Sequence, residues 1–200
     1  MLPLNKAKKV ILIGDHKQLP PAIHPALFDR EKIEINDMEY CKDELFEKCL
    51  YENLYENCPK SNKSILKTQY RMPAVIGTMV SQFFYDNQLE NGDITYFKNP
   101  IFFNKNINSL DMSDVTDFKE IKEGNLPITN PKEAEVVYDV IKLIRSKVGR
   151  DKKIAVISPY RRQKSMITKY LNDKKVNIIN ENIAINTIDA FQGEEAEIVV

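Results

Sequence analysis

The strongest constraint on the fold is a set of short, uninterrupted apolar runs, each followed by a turn or a polar cluster or, in one case, by the chain end. The runs occupy residues 10–13, 154–157, 183–185 and 198–200. Continuous apolarity is typical of strands covered on both faces, as parallel strands are inside an α/β sheet. The pattern therefore predicts an α/β fold in which helices flank a parallel sheet.

Helical patterns lie between these runs, in the β-α-β order that a parallel sheet requires. Asn130 can cap a helix that begins at Pro131 and carries apolar residues at helical spacing up to Gly149. Further predicted elements are helices at residues 44–55, 74–85 and 160–171, and one or two strands with an exposed loop at residues 94–127. The polar, breaker-rich residues 59–63 predict a linker, so we place a domain boundary near residue 60.

Composition bounds the function less tightly than this pattern does. The 200 residues are 42% apolar, which is enough for a buried core, and 29 basic residues balance 29 acidic ones. Zero net charge favours a neutral soluble enzyme over a protein with an overall basic field. A nucleic-acid motor remains compatible, because its basic residues can line one groove of a neutral molecule.

The three cysteines, Cys41, Cys49 and Cys58, have no C-x-x-C spacing and lie well downstream of His16 and His24. They predict reduced thiols and no metal site. The sequence contains no signal-peptide pattern and no run of ~20 apolar residues. We therefore expect a cytoplasmic protein, or a nuclear one in a eukaryote.

Three polar clusters follow the predicted strands or the linker, where ligands bind in doubly wound sheets. They are residues 14–21 (GDHKQLPP), residues 67–73 (KTQYRMP) and residues 186–195 (NTIDAFQGEE). In the second cluster Arg71 is suited to a phosphate, because the guanidinium pairs with phosphate oxygens and keeps its charge. Each cluster alone is also compatible with a structural role, as a polar turn or a surface arginine near a helix start. The three together, in this order, favour a functional site.

The ordered clusters resemble the Upf-like branch of the superfamily-one helicases, which are motors with two RecA-like domains. Residues 14–21 resemble motif III of that family, residues 69–73 motif IV, and residues 187–200 (TIDAFQGEEAEIVV) motif V. The resemblance covers nearly the whole chain. It implies a RecA-like, P-loop NTPase type of parallel sheet flanked by helices, with residues 1–60 as the tail of the first domain and residues 61–200 as the second.

The resemblance also implies roles for single residues in the first two motifs. Gln18 would sense the γ-phosphate or its attacking water and couple hydrolysis to domain closure, with Asp15 as a coupling residue. Arg71 would act as an arginine finger, a group worth roughly a thousandfold in rate. Tyr70 would lie near the nucleotide base. Pro73 stands where many relatives have histidine, which puts the local helix geometry in question.

In motif V the family pattern is Gln-Gly-any-Glu, so the resemblance assigns the nucleotide contact to Gly193 and Glu195. Glu194 is thereby excluded from that role. Thr187 would contact the nucleic-acid backbone. Glu197 is a mild departure, because aspartate is common at that place in the family.

A fourth segment, residues 158–163 (SPYRRQ), follows a predicted strand end and also resembles a patch of the family. Arg161 and Arg162 there could contact the phosphates of a strand, which would position it without reading its sequence. A solvated helix face is the alternative interpretation of this pair.

The 200 residues contain no G-x-x-x-x-G-K-[ST] loop and no acidic pair of the Walker B type. The resemblance implies ATP and Mg²⁺ as cofactors, with the metal ligands outside this chain. It implies single-stranded DNA or RNA and an N-terminal RecA-like lobe as partners, and no membrane. We expect a fragment of a helicase with no ATPase activity by itself. A nucleic-acid or protein binding lobe that hydrolyses nothing, and a degenerate remnant, are the alternatives.

Overall fold

The computed structural model describes residues 6–20, 32–35, 38–41, 49–93, 105–122, 124 and 128–200, with backbone only for 32–35 and 38–41. The chain divides into two compact units, Met1–Thr95 and Tyr96–Val200. The predicted division into RecA-like domains near residue 60 stays a prediction, and it lies upstream of the division between these units.

The described residues of the first unit form two pairs of short strands and two α-helices. They are β1 (Lys32–Ile35), β2 (Met38–Cys41), α1 (Leu50–Asn57), β3 (Thr68–Gln69), α2 (Ala74–Phe84) and β4 (Glu90–Asn91). Strands β1 and β2 pair antiparallel, whereas β3 and β4 pair parallel with Gln69 opposite Asn91. The predicted linker contains one turn of 3₁₀-helix, Lys60–Asn62.

The predicted strand at residues 10–13 is wrong. The structure assigns no strand there, and Ile11 and Ile13 are 88% and 92% exposed. A continuous apolar run is buried only where neighbouring strands and helices cover it, and none of the described strands pairs with this run. Its apolar character alone therefore does not produce a strand.

The two helices predicted in the first unit are present with different bounds. Helix α2 matches the pattern at residues 74–85 closely. Helix α1 begins at Leu50 because Cys49 caps it, with Sγ accepting from the N–H of Glu52. Residues 44–48, the earlier part of that predicted helix, lie outside the described residues.

The second unit is built on a parallel sheet. Its elements are α3 (Pro131–Arg145), β5 (Ile154–Ser158), α4 (Arg161–Asp173), β6 (Ile183–Thr187), α5 (Ile188–Phe191) and β7 (Ile198–Val199). The strand order is β6-β5-β7, and β5 pairs parallel with both neighbours. The α/β fold class with helices flanking a parallel sheet is confirmed.

The core of this unit lies where helices α3 and α4 pack on the sheet. Strand β5 is buried along most of its length, and Ile167 and Leu171 of α4 are 1% and 0% exposed. Helix α3 begins as predicted, because Oδ1 of Asn130 accepts from the N–H of Glu133 at 2.9 Å and Pro131 follows the cap. Such a cap stabilises a helix by about 1 kcal/mol.

The strand-and-loop stretch predicted at residues 94–127 is only partly described. Residues 94–104, 123 and 125–127 lie outside the described residues. The described part, residues 105–122 and 124, is mostly exposed and carries no extended strand; it has bridge positions at Lys105 and Ile121, and Ile121 pairs with Thr129. In the part of the chain that the structure describes, no helix is long and apolar enough to span a membrane.

Candidate functional site

In the first unit, the loop at residues 14–20 is organised by the carboxylate of Asp15. Its Oδ1 accepts from the N–H of Lys17, and its Oδ2 accepts from Nε2 of Gln18, both at 3.0 Å. The hydroxyl of Tyr85, 70 residues further along the chain, donates to the same Oδ2 at 2.5 Å. The carboxylate thus joins the loop to the residue that follows helix α2.

These contacts shift the protonation of both partners. Burial raises the pKa of Asp15, but hydrogen bonds from Tyr85, the N–H of Lys17 and Gln18 together outweigh it, so the pKa lies below its usual value. Burial and the hydrogen bond to Asp15 raise the pKa of Tyr85 to about 12. At neutral pH the pair is therefore a carboxylate accepting from a neutral phenol.

Aromatic contacts hold the same loop against helix α1. The ring of His16 stacks on that of Tyr55 with centroids 5.0 Å apart. Gly14 lies so close to Tyr51 that an added Cβ would be 3.0 Å from its ring. These packing contacts fix the backbone on both sides of Asp15.

The turn that carries Tyr70 and Arg71 is fixed by the amide of Gln69. Its Oε1 accepts from the N–H groups of Arg71 and Met72, at 2.9 and 2.8 Å. Its Nε2 donates to the carbonyl of Met72 at 2.9 Å and to Oδ1 of Asn91 on strand β4 at 2.7 Å. The backbone of Arg71 is therefore held by a side chain of the same short strand pair.

Beyond this turn the two predicted side chains are exposed. Tyr70 is 60% exposed and its ring packs against Gly92, where a Cβ would come within 2.2 Å. Arg71 is also exposed. Pro73 does not disturb the following helix, because α2 begins directly after it and the N–H of Gly77 donates to its carbonyl at 2.9 Å.

In the second unit, the carboxyl ends of β5 and β6 place Ser158 beside Thr187. Thr187 is 7% exposed, so its side chain presents little surface for the nucleic-acid contact predicted for it.

Arg161 and Arg162 form the first turn of α4, Arg161 exposed and Arg162 half-buried. Two cations at a helix N-terminus oppose the helix dipole, and a bound anion would relieve this.

A cluster of three polar residues, Gln163, Asn130 and Glu133, lies beside the carboxyl end of β5. Gln163 is buried, and its Oε1 accepts from the N–H of Asn130 while its Nε2 donates to the carbonyl of Asn130 and to Oε2 of Glu133. The cluster lines a cavity of about 130 Å³ together with Tyr160. Burial first, and the charge of Glu120 second, raise the pKa of Glu133.

The loop that carries Gly193 and Glu195 is held by Lys153, which precedes β5. Nζ of Lys153 lies 2.8 Å from Oε2 of Glu194, and the N–H of Lys153 donates to Glu197 at 2.9 Å. Gly193 has a φ of +86°, a conformation that favours glycine. The assignment of the ligand contact to Gly193 and Glu195 stays a prediction.

The structure brings together Asp15 and Gln18 in one unit, and Gly193 and Glu195 in the other. Sequence reasoning missed Tyr85, Gln69, Asn91 and Lys153, which orient those residues. Only Gln69 carried a local signal, since an amide just before a turn can hydrogen-bond the backbone of that turn. Among the described residues, no group of three or more histidine, cysteine or acidic side chains could hold a metal ion.

Comparison with known proteins places the chain in a family. Residues 45–200 match a family model described as an AAA domain. Together with relatives named as helicases, this match shows that the chain belongs to the Upf-like family of superfamily-one helicases.

Three relatives illustrate the similarity. The chain is 28% identical to an uncharacterized ATP-dependent helicase of Methanocaldococcus jannaschii, with 100% of this chain and 28% of that protein covered. It is 30% identical to a probable helicase of Dictyostelium discoideum, with 100% and 19% covered. It is 28% identical to helicase sen1 of Schizosaccharomyces pombe, with 100% and 11% covered. The chain thus spans between about a tenth and a quarter of the length of these relatives.

Proposed function

We propose that this chain works as part of an ATP-dependent helicase that moves along single-stranded DNA or RNA. The observation that carries the proposal is the exposed Arg71, on a turn whose backbone is fixed by the side chain of Gln69. Because the backbone of this turn is held, only the side chain of Arg71 has to be ordered when the guanidinium binds a phosphate, and a positioned positive charge is a main requirement for phosphoryl transfer.

In the first unit, Arg71 contacts phosphate oxygens, and Tyr70 lies against the base. Gln18 contacts the terminal phosphate or the water beside it, with its amide oriented by Asp15 at 3.0 Å. This orientation leaves Oε1 of Gln18 available as an acceptor, because Nε2 is the atom that donates to Asp15. Oε1 can accept a hydrogen bond from the attacking water molecule and so hold it in place.

In the second unit, Gly193 and Glu195 contact the nucleotide, and Arg161 and Arg162 contact the phosphates of the strand. Thr187 contributes to the strand contact chiefly through its backbone, because its side chain is buried. Strand binding of this kind is mostly electrostatic and tolerant of sequence, hence sensitive to salt.

ATP fits the residues present, since exposed guanidinium, amide and carboxylate groups are the donors and acceptors that phosphates and ribose require. ATP supplies the phosphoryl group whose hydrolysis drives movement, and Mg²⁺ neutralises its charge. The isolated chain is expected to show no ATPase activity, because its sequence has no phosphate-binding loop.

A chimaera tests the proposal. The segment of the Methanocaldococcus jannaschii helicase that matches this chain is replaced by the chain, and phosphate release is followed with and without single-stranded DNA or RNA. We expect hydrolysis that the strand stimulates, and a loss of roughly a thousandfold in Arg71→Ala. Arg150→Ala is the matched control, because Arg150 is an exposed arginine that pairs with Glu181 and belongs to no predicted site.

A chimaera that melts cooperatively but releases no phosphate would contradict the proposal. If that chimaera still bound the strand with salt-dependent affinity, the chain would act as a binding lobe without hydrolysis. Equal activity of Arg71→Ala and Arg150→Ala would withdraw the role of Arg71 alone.

A further inference from the structure

Tyr85 lies outside all three sequence motifs, yet its hydroxyl donates to Oδ2 of Asp15 at 2.5 Å. The same Oδ2 accepts from Nε2 of Gln18 at 3.0 Å. Gln18 and Tyr85 therefore share one acceptor atom. A change in the position of either donor changes the orientation of the carboxylate that holds the other.

The backbone around Tyr85 is itself well determined. The N–H of Tyr85 donates to the carbonyl of Ser81 at 3.1 Å and ends helix α2. Ser81 is 3% exposed, and its hydroxyl accepts from the N–H of Leu89 and donates to the carbonyl of Leu89, both at 3.0 Å. The turn between them passes through Asp86 and Asn87, both with positive φ. Tyr85 is thus part of a closed turn and not of a loose helix end.

Helix α2 connects this turn to the arginine of the second motif. The helix begins at Ala74, directly after Arg71, Met72 and Pro73, and Tyr85 follows its last residue. A rigid helix transmits a displacement of one end to the other. The Asp15 contact therefore links the loop of Gln18 to the element that begins beside Arg71.

We propose that Tyr85 is a positioning residue that sets the orientation of Gln18 through Asp15. The bond also connects the Gln18 loop, through Asp15, to the residue that follows helix α2. Only the consequence for catalysis rests on the function proposed above. The contact itself stands on the geometry of this chain.

Nuclear magnetic resonance on the ¹⁵N-labelled full chain tests the contact without any need for activity. The side-chain amide of Gln18 is followed from neutral to acidic pH, where its shift reports the protonation of Asp15. His16 and Lys17 are the other titratable side chains beside this carboxylate in the loop, and the charge of His16 is among the causes that lower the pKa of Asp15.

We expect Tyr85→Phe to move the Gln18 amide resonances at neutral pH and to move the midpoint of their titration upward, because the carboxylate loses a donor. Tyr138→Phe is the control, since Tyr138 belongs to the second unit and packs on Tyr170. Asp15→Asn approaches the contact from the other side and should lower the pKa of Tyr85 from about 12 towards 10 in ultraviolet titration. Unchanged Gln18 resonances in Tyr85→Phe, or an unchanged phenol titration in Asp15→Asn, would overturn the proposal.

The catalytic consequence is measured in the chimaera. There, Tyr85→Phe should lower kcat by roughly ten- to a hundredfold with little change in KM for ATP, because a small misplacement of Gln18 affects the reaction more than binding. A parallel rise in KM with unchanged kcat would overturn the positioning role. A chimaera that is inactive even with Tyr85 present would contradict the proposed function, while the resonance experiment would still decide the Tyr85 contact.

Discussion

Replacing Gly77 by alanine should destabilise the first unit, although the same change stabilises most helices. Gly77 is a buried residue of α2, and a Cβ there would lie 2.0 Å from Oδ1 of Asn91 and 2.6 Å from Nε2 of Gln69. Ordinary contacts begin near 3.4 Å, so the Asn91 side chain would have to move by roughly 1 Å or more. That movement breaks the bond between Asn91 and Gln69.

The magnitude follows from the bonds that are lost. Asn91 accepts from Gln69 at 2.7 Å and donates to Thr78 at 3.1 Å and to the carbonyl of Ala74 at 3.3 Å. Each bond contributes about 0.5 to 1.5 kcal/mol, and Gly→Ala in a helix returns about 1 kcal/mol. The net effect is a loss of about 0.5 to 3.5 kcal/mol in the free energy of unfolding.

Urea denaturation of the full chain, followed by circular dichroism, measures this change. The double variant Gly77→Ala/Asn91→Ala is the internal control, because removing the Asn91 side chain removes the closest clash. The two changes should then be non-additive, with the double variant more stable than the sum of the single effects predicts. A Gly77→Ala variant that is more stable than the wild type would show that the Cβ at this position does not displace Asn91.

Three further predictions concern other contacts. The pKa of Asp15 is depressed in the folded chain, so its contribution to stability is present above pH 3.8 and is lost as pH falls through the folded value, whereas the contribution of Tyr85 is present below pH 10 and is lost as pH rises through about 12. In Tyr85→Phe, the free energy of unfolding should therefore change less with pH at both extremes. Denaturation measured against pH checks this, and a profile like that of the wild type would contradict it. Gln163→Met removes the side chain that binds the N–H and the carbonyl of half-buried Asn130. Thermal and urea unfolding should therefore show a loss of about 1 to 3 kcal/mol, which a neutral result would disprove. Lys153→Met removes the ion pair to Glu194. Amide hydrogen exchange in residues 192–195 should therefore accelerate, while the free energy of global unfolding falls by less than about 1 kcal/mol. Exchange as slow as in the wild type would rule out that Lys153 anchors this loop.

The parallel sheet of the second unit could be predicted because its signal is contiguous in sequence. Residues 154–157 and 183–185 are apolar runs bounded by turns, and they form the paired strands β5 and β6, with β5 at the centre of the described sheet. The cap at Asn130 was equally local, since it depends on the residues that follow it directly. Strand burial and the start of a helix could therefore be predicted where the residues that determine them lie within one short segment.

The run at residues 10–13 has the same local signal and forms no strand. Whether such a run is buried depends on strands elsewhere in the chain, which the run itself does not encode.

In the candidate site, too, contacts between distant segments could not be predicted from the sequence. Asp15, Gln18 and Arg71 were identified from motifs, whereas Tyr85 and Asn91 reach their partners across 70 and 22 residues. Contacts of that separation follow from packing and leave no periodic pattern.

Strand displacement by the chimaera is the most direct test of the central claim that this chain serves an ATP-driven motor. A fluorescently labelled strand annealed to a longer single-stranded oligonucleotide is incubated with the chimaera, Mg²⁺ and ATP. We expect the labelled strand to be released with ATP, to be retained without ATP, and to be retained with the Arg71→Ala variant. Release that is the same with and without ATP, or no release by a folded chimaera that hydrolyses ATP, would contradict the motor function.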